Sequence, residues 1–210
     1  MPVPSWYHLH EEWFNKIPSD HERLESLMQI ALHALKTEDD DLSSRFALGT
    51  ARGFASTYHP HYNQGVGSLF ETALAYTVFK AWLPVAPVGW EAAYPSNLAQ
   101  KADLVVRDAS GNAQWVFEMK WWQNNHAKTL NVLRDDLDKL RTWSPAEERF
   151  LLAIWYGRRS DYGKDREAML AGCEQFNQVT PIYLGSFATD IAAYRQVGGG
   201  YFAVGLVRVL

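Results

Sequence analysis

Lys101-Ala102-Asp103-Leu104-Val105-Val106-Arg107 and Ala113-Gln114-Trp115-Val116-Phe117-Glu118-Met119-Lys120-Trp121-Trp122 both alternate in character. Successive side chains on a strand point to opposite faces. Ala102, Leu104 and Val106 therefore share one face of the first segment, and Lys101, Asp103, Val105 and Arg107 the other. In the second, Trp115, Phe117, Met119 and Trp121 make an apolar face. Gln114, Val116, Glu118, Lys120 and Trp122 lie opposite. The connection Ala109-Ser110-Gly111-Asn112 has turn composition, so the two segments are expected to form a hairpin. Centring the turn between Ser110 and Gly111 puts Asp103 opposite Glu118; a bulge or an odd-length loop would make them diagonal neighbours. Two carboxylates and an ammonium then converge on a small area of sheet.

Working outward, Ser68 to Trp82 reads as a helix stopped by Pro84 and Pro87. Glu71 falls in line with its apolar stripe of Leu74, Ala75, Val78 and Trp82, which brings a third acid toward the sheet. Val88 to Tyr94 reads as a strand before the hairpin. After it come a helix at His126 to Trp143, a strand at Arg149 to Tyr156, a helix near Lys164 to Phe176, and strands at Ile182 to Phe187 and Tyr201 to Leu210. This order predicts an α/β protein with a central mixed sheet flanked by helices. Upstream, Ser19-Asp20-His21-Glu22 has capping-box form before the stripe Leu24, Leu27, Met28, Ala31 and Leu35. Glu38-Asp39-Asp40-Asp41 is expected to be a solvated acidic connector, and residues 42–56 a further short helix.

The chain has 210 residues, 47% of them hydrophobic, with a formal net charge of −4. One domain is expected over 1–210, with a helical extension at 1–60 and the main core at 65–210. A single cysteine excludes an internal disulfide and a Cys-based zinc site. No apolar run reaches the length of a membrane span, and no targeting segment is evident, so a soluble, cytoplasmic protein is expected. The acidic balance means that a nucleic-acid partner would have to be held by local patches, metal ions or other subunits.

Converging carboxylates suit a hard cation such as Mg²⁺, with Mn²⁺ as a substitute. That chemistry is metal-assisted hydrolysis, with Lys120 orienting water or countering charge on a phosphate. Lys101-Ala102-Asp103-Leu104-Val105-Val106 followed by Val116-Phe117-Glu118-Met119-Lys120 resembles the signature of the PD-(D/E)xK superfamily of restriction-endonuclease-like nucleases. There an acid on the second core strand precedes an acid-x-Lys on the third, commonly with a Glu on the first core helix. Ala102 stands where the name has proline, at a position that varies widely in the superfamily. The similarity spans roughly residues 65–156. It implies a restriction-endonuclease-like core, Asp103, Glu118 and Glu71 as metal ligands, Lys120 as the catalytic lysine, and a DNA endonuclease ahead of an RNA-directed one. Asp136-Leu137-Asp138-Lys139-Leu140 resembles the helix that follows the lysine in such proteins. A homodimer fits members that cut two strands.

Other polar residues carry less. Trp122, Asn124, His126 and Lys128, just past the lysine, and Arg158 and Arg159, in a later loop, are the nucleic-acid contacts expected. The bland alternatives are solvated loop charges for the arginines and a surface ion pair for Glu118 and Lys120. His59-Pro60-His61 and Gly65-Val66-Gly67 read as a surface loop and a helix entry. Two functional alternatives remain beside the nuclease. One is a nuclease-fold binding or scaffold module without chemistry; the other is an effector or toxin nuclease controlled by a partner protein.

Overall fold

The computed structural model describes residues 22–47, 66, 69–95, 97–122, 127–143, 146, 148–176, 178–189 and 197–210. In these residues four α-helices and six strands alternate along the chain: α1 (Glu22–Ala47), α2 (Glu71–Trp82), β1 (Val88–Tyr94), β2 (Asn97–Arg107), β3 (Ala113–Trp121), α3 (Ala127–Arg141), β4 (Glu148–Arg158), α4 (Tyr162–Glu174), β5 (Val179–Thr189) and β6 (Gly200–Val209). The strands form one mixed sheet in the order β1-β2-β3-β4-β6-β5. β3 and β4 are parallel and joined through α3, as a parallel pair requires; the other neighbours are antiparallel.

Both faces of the sheet are covered. On one, Leu104, Val106, Trp115, Phe117, Met119, Phe150, Leu152 and Ile154 pack with Leu27, Leu35, Leu74, Val78 and Trp82 of α1 and α2. On the other, Val105, Val116, Leu151, Ala153 and Trp155 pack with Leu133, Leu137 and Leu140 of α3 and Met169 and Cys173 of α4. This explains why Phe150-Leu151-Leu152-Ala153-Ile154-Trp155 is apolar without alternation: a central strand is buried on both sides. The helix expected as an N-terminal extension, α1, contributes to the same core as α2.

The acidic run does not interrupt that helix. α1 continues through it to Ala47, and Asp39 is 1% exposed, correcting the expectation of a solvated connector. Its Oδ1 accepts bonds from the Val66 N–H at 2.9 Å and the Thr189 hydroxyl at 2.8 Å. These two donors offset the cost of burying the side chain, while Glu38, Asp40 and Asp41 lie at more open positions. Ser19, Asp20 and His21 of the capping box, the rest of the expected helix at 42–56, His59-Pro60-His61, Gly65 and Gly67 lie outside the described residues.

The hairpin register is the one the turn composition implies, reached by two compensating departures. Arg107 pairs with Ala113 around a five-residue loop, Asp108 to Asn112, and a bulge between Val106 and Arg107 then adds one residue on β3. Val106↔Trp115, Val105↔Val116 and Leu104↔Phe117 follow, and the next step sets Asp103 across from Glu118. The Asp108 carboxylate pins the loop by accepting the backbone N–H groups of Ser110 and Asn112, both at 2.8 Å. Gly111 takes φ 84°, where a side chain would be strained.

Candidate active site

The ladder between β2 and β3 ends at Leu104↔Phe117. Met119 and Trp121, two and four residues on, share the parity of Phe117, so their N–H groups need new acceptors. Carboxylates supply them. Asp103 Oδ2 accepts the Met119 N–H at 2.7 Å, and Glu71 Oε2, at the start of α2, accepts the Trp121 N–H at 3.0 Å. The β1 edge is also irregular here: pairing passes from Trp90↔Leu104 to Ala92↔Ala102, and Glu91 between them has φ 49°. The acids are thus positioned by backbone groups that the sheet leaves over.

Glu118 is the deepest of them, 5% exposed. Its Oε1 accepts the Tyr94 hydroxyl at 2.5 Å and meets Lys139 Nζ of α3 at 2.6 Å. Burial raises its pKa, and the neighbouring Asp103 charge adds to that, against the pull of Lys139 and Tyr94; the result is about 7. Asp103 is raised too, chiefly by burial, while the Met119 N–H, Lys139, Lys120 and a hydrogen bond with Glu118 oppose the shift. The two carboxyls therefore titrate as a coupled pair that holds a proton to higher pH than isolated acids would. Tyr94 stays a neutral donor, its pKa driven up by burial and by the Glu118 charge.

Lys120 lies between acids from two helices. Its Nζ is 3.4 Å from Glu71 Oε2 and 3.2 Å from Asp136 Oδ2 of α3. Burial disfavours its charge, but Asp136 and Glu71 outweigh that and hold its pKa above the ordinary lysine value. Lys120 is a fixed positive charge at neutral pH, not a base. Glu71 is raised by burial, with Lys120 and the Trp121 N–H opposing and Asp103 adding slightly.

The structure brings Asp103, Glu118, Lys120 and Glu71 into one neighbourhood, though not as three equivalent carboxylates. Glu71 is turned to Lys120 and the Trp121 N–H. Among the described residues, no three His, Cys, Asp or Glu side chains are grouped closely enough to hold a metal. What fits a divalent cation is the facing pair: Asp103 and Glu118 offer hard oxygen donors, and Mg²⁺ is commonly held by one or two carboxylates with waters and phosphates completing its shell. Lys139 Nζ already sits against Glu118 of this pair.

Trp122 is not where the expectation put it. Its indole is buried in the core between the sheet and α4, against Gly172, with no face open to a base. The strand face that carries Glu118 and Lys120 is covered by helices, so the next side chain on it is core. Asn124 and His126 lie outside the described residues, as does the side chain of Lys128. Arg158 and Arg159 are exposed, at the end of β4 and in the turn after it. Since Trp121 pairs with Ile154, Arg158 lies roughly 13 Å further along the parallel strand direction from the end of β3, at about 3.3 Å per residue.

Sequence reasoning did not single out Tyr94 or the roles of Asp136 and Lys139. The last two are three residues apart on α3, the spacing that puts side chains on one helix face, and that was the available signal. Phe70, directly before Glu71, is 84% exposed. No helix among the described residues is long and apolar enough to cross a membrane. No family model matches the chain, and no curated protein or solved structure matches it either.

Proposed function

We propose that this chain is a divalent-metal-dependent phosphodiester hydrolase of the PD-(D/E)xK type, with DNA as the substrate expected first. The observation that carries the reading is the juxtaposition of Glu118 and Asp103 across the hairpin with Lys120, two residues on, held charged by Glu71 and Asp136. The order helix, three antiparallel strands, helix and parallel strand supports a restriction-endonuclease-like core at the level of architecture.

In this reading Asp103 and Glu118 hold the cation. When bound, it supplies Lewis-acid stabilisation of phosphate charge and favours ionisation of a water. Lys120 presents a compact positive charge toward the reacting phosphate; because its ammonium is fixed from both sides, little reorganisation is needed as negative charge builds up. Glu71 and Asp136 act through Lys120 as positioning residues. Arg158 and Arg159 supply exposed positive charge at the same end of the sheet, compensating locally for the acidic whole.

The test is cleavage of plasmid, linear double-stranded and single-stranded DNA, and RNA, with Mg²⁺ or Mn²⁺ and with chelator, by wild type and Lys120→Ala. Expected is metal-dependent cleavage that falls by about a hundredfold or more in the variant, the cost typical of removing one transition-state charge partner. Full activity of Lys120→Ala would remove Lys120 from the chemistry. A second reading, a binding module that keeps the fold without catalysis, draws on Glu118 being closed over by Tyr94 and Lys139. It predicts no cleavage of any substrate by folded wild type.

A further inference from the structure

Acidic groups outnumber basic ones around the site. Four carboxyl groups, from Asp103, Glu118, Glu71 and Asp136, face two ammonium groups, from Lys120 and Lys139. Lys120 is engaged by Glu71 and Asp136, which leaves Lys139 as the cation of the Asp103–Glu118 pair. It approaches Glu118 Oε1 to 2.6 Å from α3, and its Nζ also lies 5.1 Å from the centre of the Tyr94 ring. Its side chain is 20% exposed, against 6% for that of Glu118. A lysine side chain is a flexible four-carbon stem and can withdraw without moving its helix. The other Glu118 partner, the Tyr94 hydroxyl, sits on a ring buried against Trp143 and has no such freedom.

We propose that Lys139 is a resident counter-ion of the metal site: its ammonium compensates Asp103 and Glu118 in the metal-free protein and leaves them when a divalent ion binds. This rests on reading that pair as metal ligands. Once Lys139 withdraws, the pair has lost its cation and the divalent ion takes that place, so the lysine makes metal entry an exchange of cations. Affinity is lowered by the cost of breaking the pair, and metal occupancy becomes coupled to where the Lys139 side chain lies.

The deciding experiment compares Mn²⁺ binding by calorimetry to full-length wild type, Lys139→Met and Lys139→Met/Asp103→Asn. Removing a positive charge in contact with a ligand should tighten Mn²⁺ binding by at least about tenfold in Lys139→Met, and the added Asp103→Asn should abolish that gain. Equal or weaker binding in Lys139→Met, or no binding to any of the three, overturns the proposal. Amine labelling of wild type, read at Lys139 by mass spectrometry, covers the case in which the variant does not fold. Labelling should accelerate with saturating Mn²⁺, and an unchanged rate overturns the proposal. Cleavage assays run in parallel separate the two readings. Tighter metal binding without cleavage by any form keeps the counter-ion and removes the nuclease; cleavage by wild type with unchanged binding in Lys139→Met does the reverse.

Discussion

At Glu118 the strand's own alternation and the long-range packing of the molecule meet. The alternation of β3 put this carboxylate beside Lys120 and across from Asp103, and that much was legible because a strand has only two faces. What surrounds it was not legible, since the rotation of α3 about its axis and the position of Tyr94 on β1 depend on how layers pack. The Tyr94 hydroxyl bond to Glu118 is the clearest case. Tyr94→Phe keeps the ring and removes only the donor, leaving a buried carboxylate short of a partner. The expected loss is about 1.5–3 kcal/mol when Glu118 is ionised. Because the Glu118 pKa is about 7, the loss should be larger at pH 8, where the carboxylate is charged, than at pH 5, where a protonated carboxyl is the weaker acceptor. Urea titrations of both proteins at the two pH values measure it; equal losses would mean that the charge on Glu118 does not set the strength of this bond.

Among the elements, the hairpin and α3 differ in how much the sequence revealed. Turn composition implied a register that the structure keeps only because the five-residue loop and the bulge beside it offset one another. Either departure alone would have moved Asp103 away from its place across from Glu118. On α3, Leu133, Leu137 and Leu140 fix the buried stripe, Asp136 and Lys139 face the site, and Arg134, Asp138 and Arg141 line an open cleft of about 430 Å³ with Gln175, Phe176 and Gln178. Only the first stripe was readable from hydrophobic spacing. Helix α4 shows how packing overrides propensity. Gly172 lies in its last turn, where Ala is intrinsically favoured by about 1 kcal/mol. A Cβ there would lie 2.4 Å from Trp122 Cζ2, and the indole is enclosed, so it cannot simply swing away. Overpacking of this kind costs about 1–3 kcal/mol. Gly172→Ala is therefore expected to lower the melting temperature; a rise would show that Trp122 has room to shift.

Over the whole molecule, Asp39 joins parts of the chain that are distant in sequence. It stands on α1, accepts the Val66 N–H just before α2, and accepts the Thr189 hydroxyl at the end of β5. Asp39 lies four residues past Leu35 of the apolar stripe and three before the buried Leu42, so helical spacing does mark it among the acids; reading the run as a connector that ends the helix hid that signal. Burial raises the Asp39 pKa, with the Val66 and Thr189 bonds and the Lys36 charge opposing that rise and the Asp40 charge adding to it. The folded protein thus binds this proton more tightly than the unfolded chain does. In the window between the ordinary aspartate value of 3.8 and the raised one, the folded state holds more protons than the unfolded state, so this group's contribution falls as pH rises. Above the window the full cost of keeping a charged carboxylate inside remains. Asp39→Asn keeps an oxygen that can accept both bonds and carries no charge. It is expected to be as stable as wild type at low pH and more stable at pH 7. Asp39→Ala loses the acceptor, leaves the Val66 N–H and the Thr189 hydroxyl unpartnered, and should be less stable than Asp39→Asn throughout. Thermal melts of the three proteins from pH 4 to pH 8 decide the matter. If wild type and Asp39→Asn run parallel across that range, the Asp39 charge is not a cost to the fold, and the joint between α1, α2 and β5 is held by its hydrogen bonds alone.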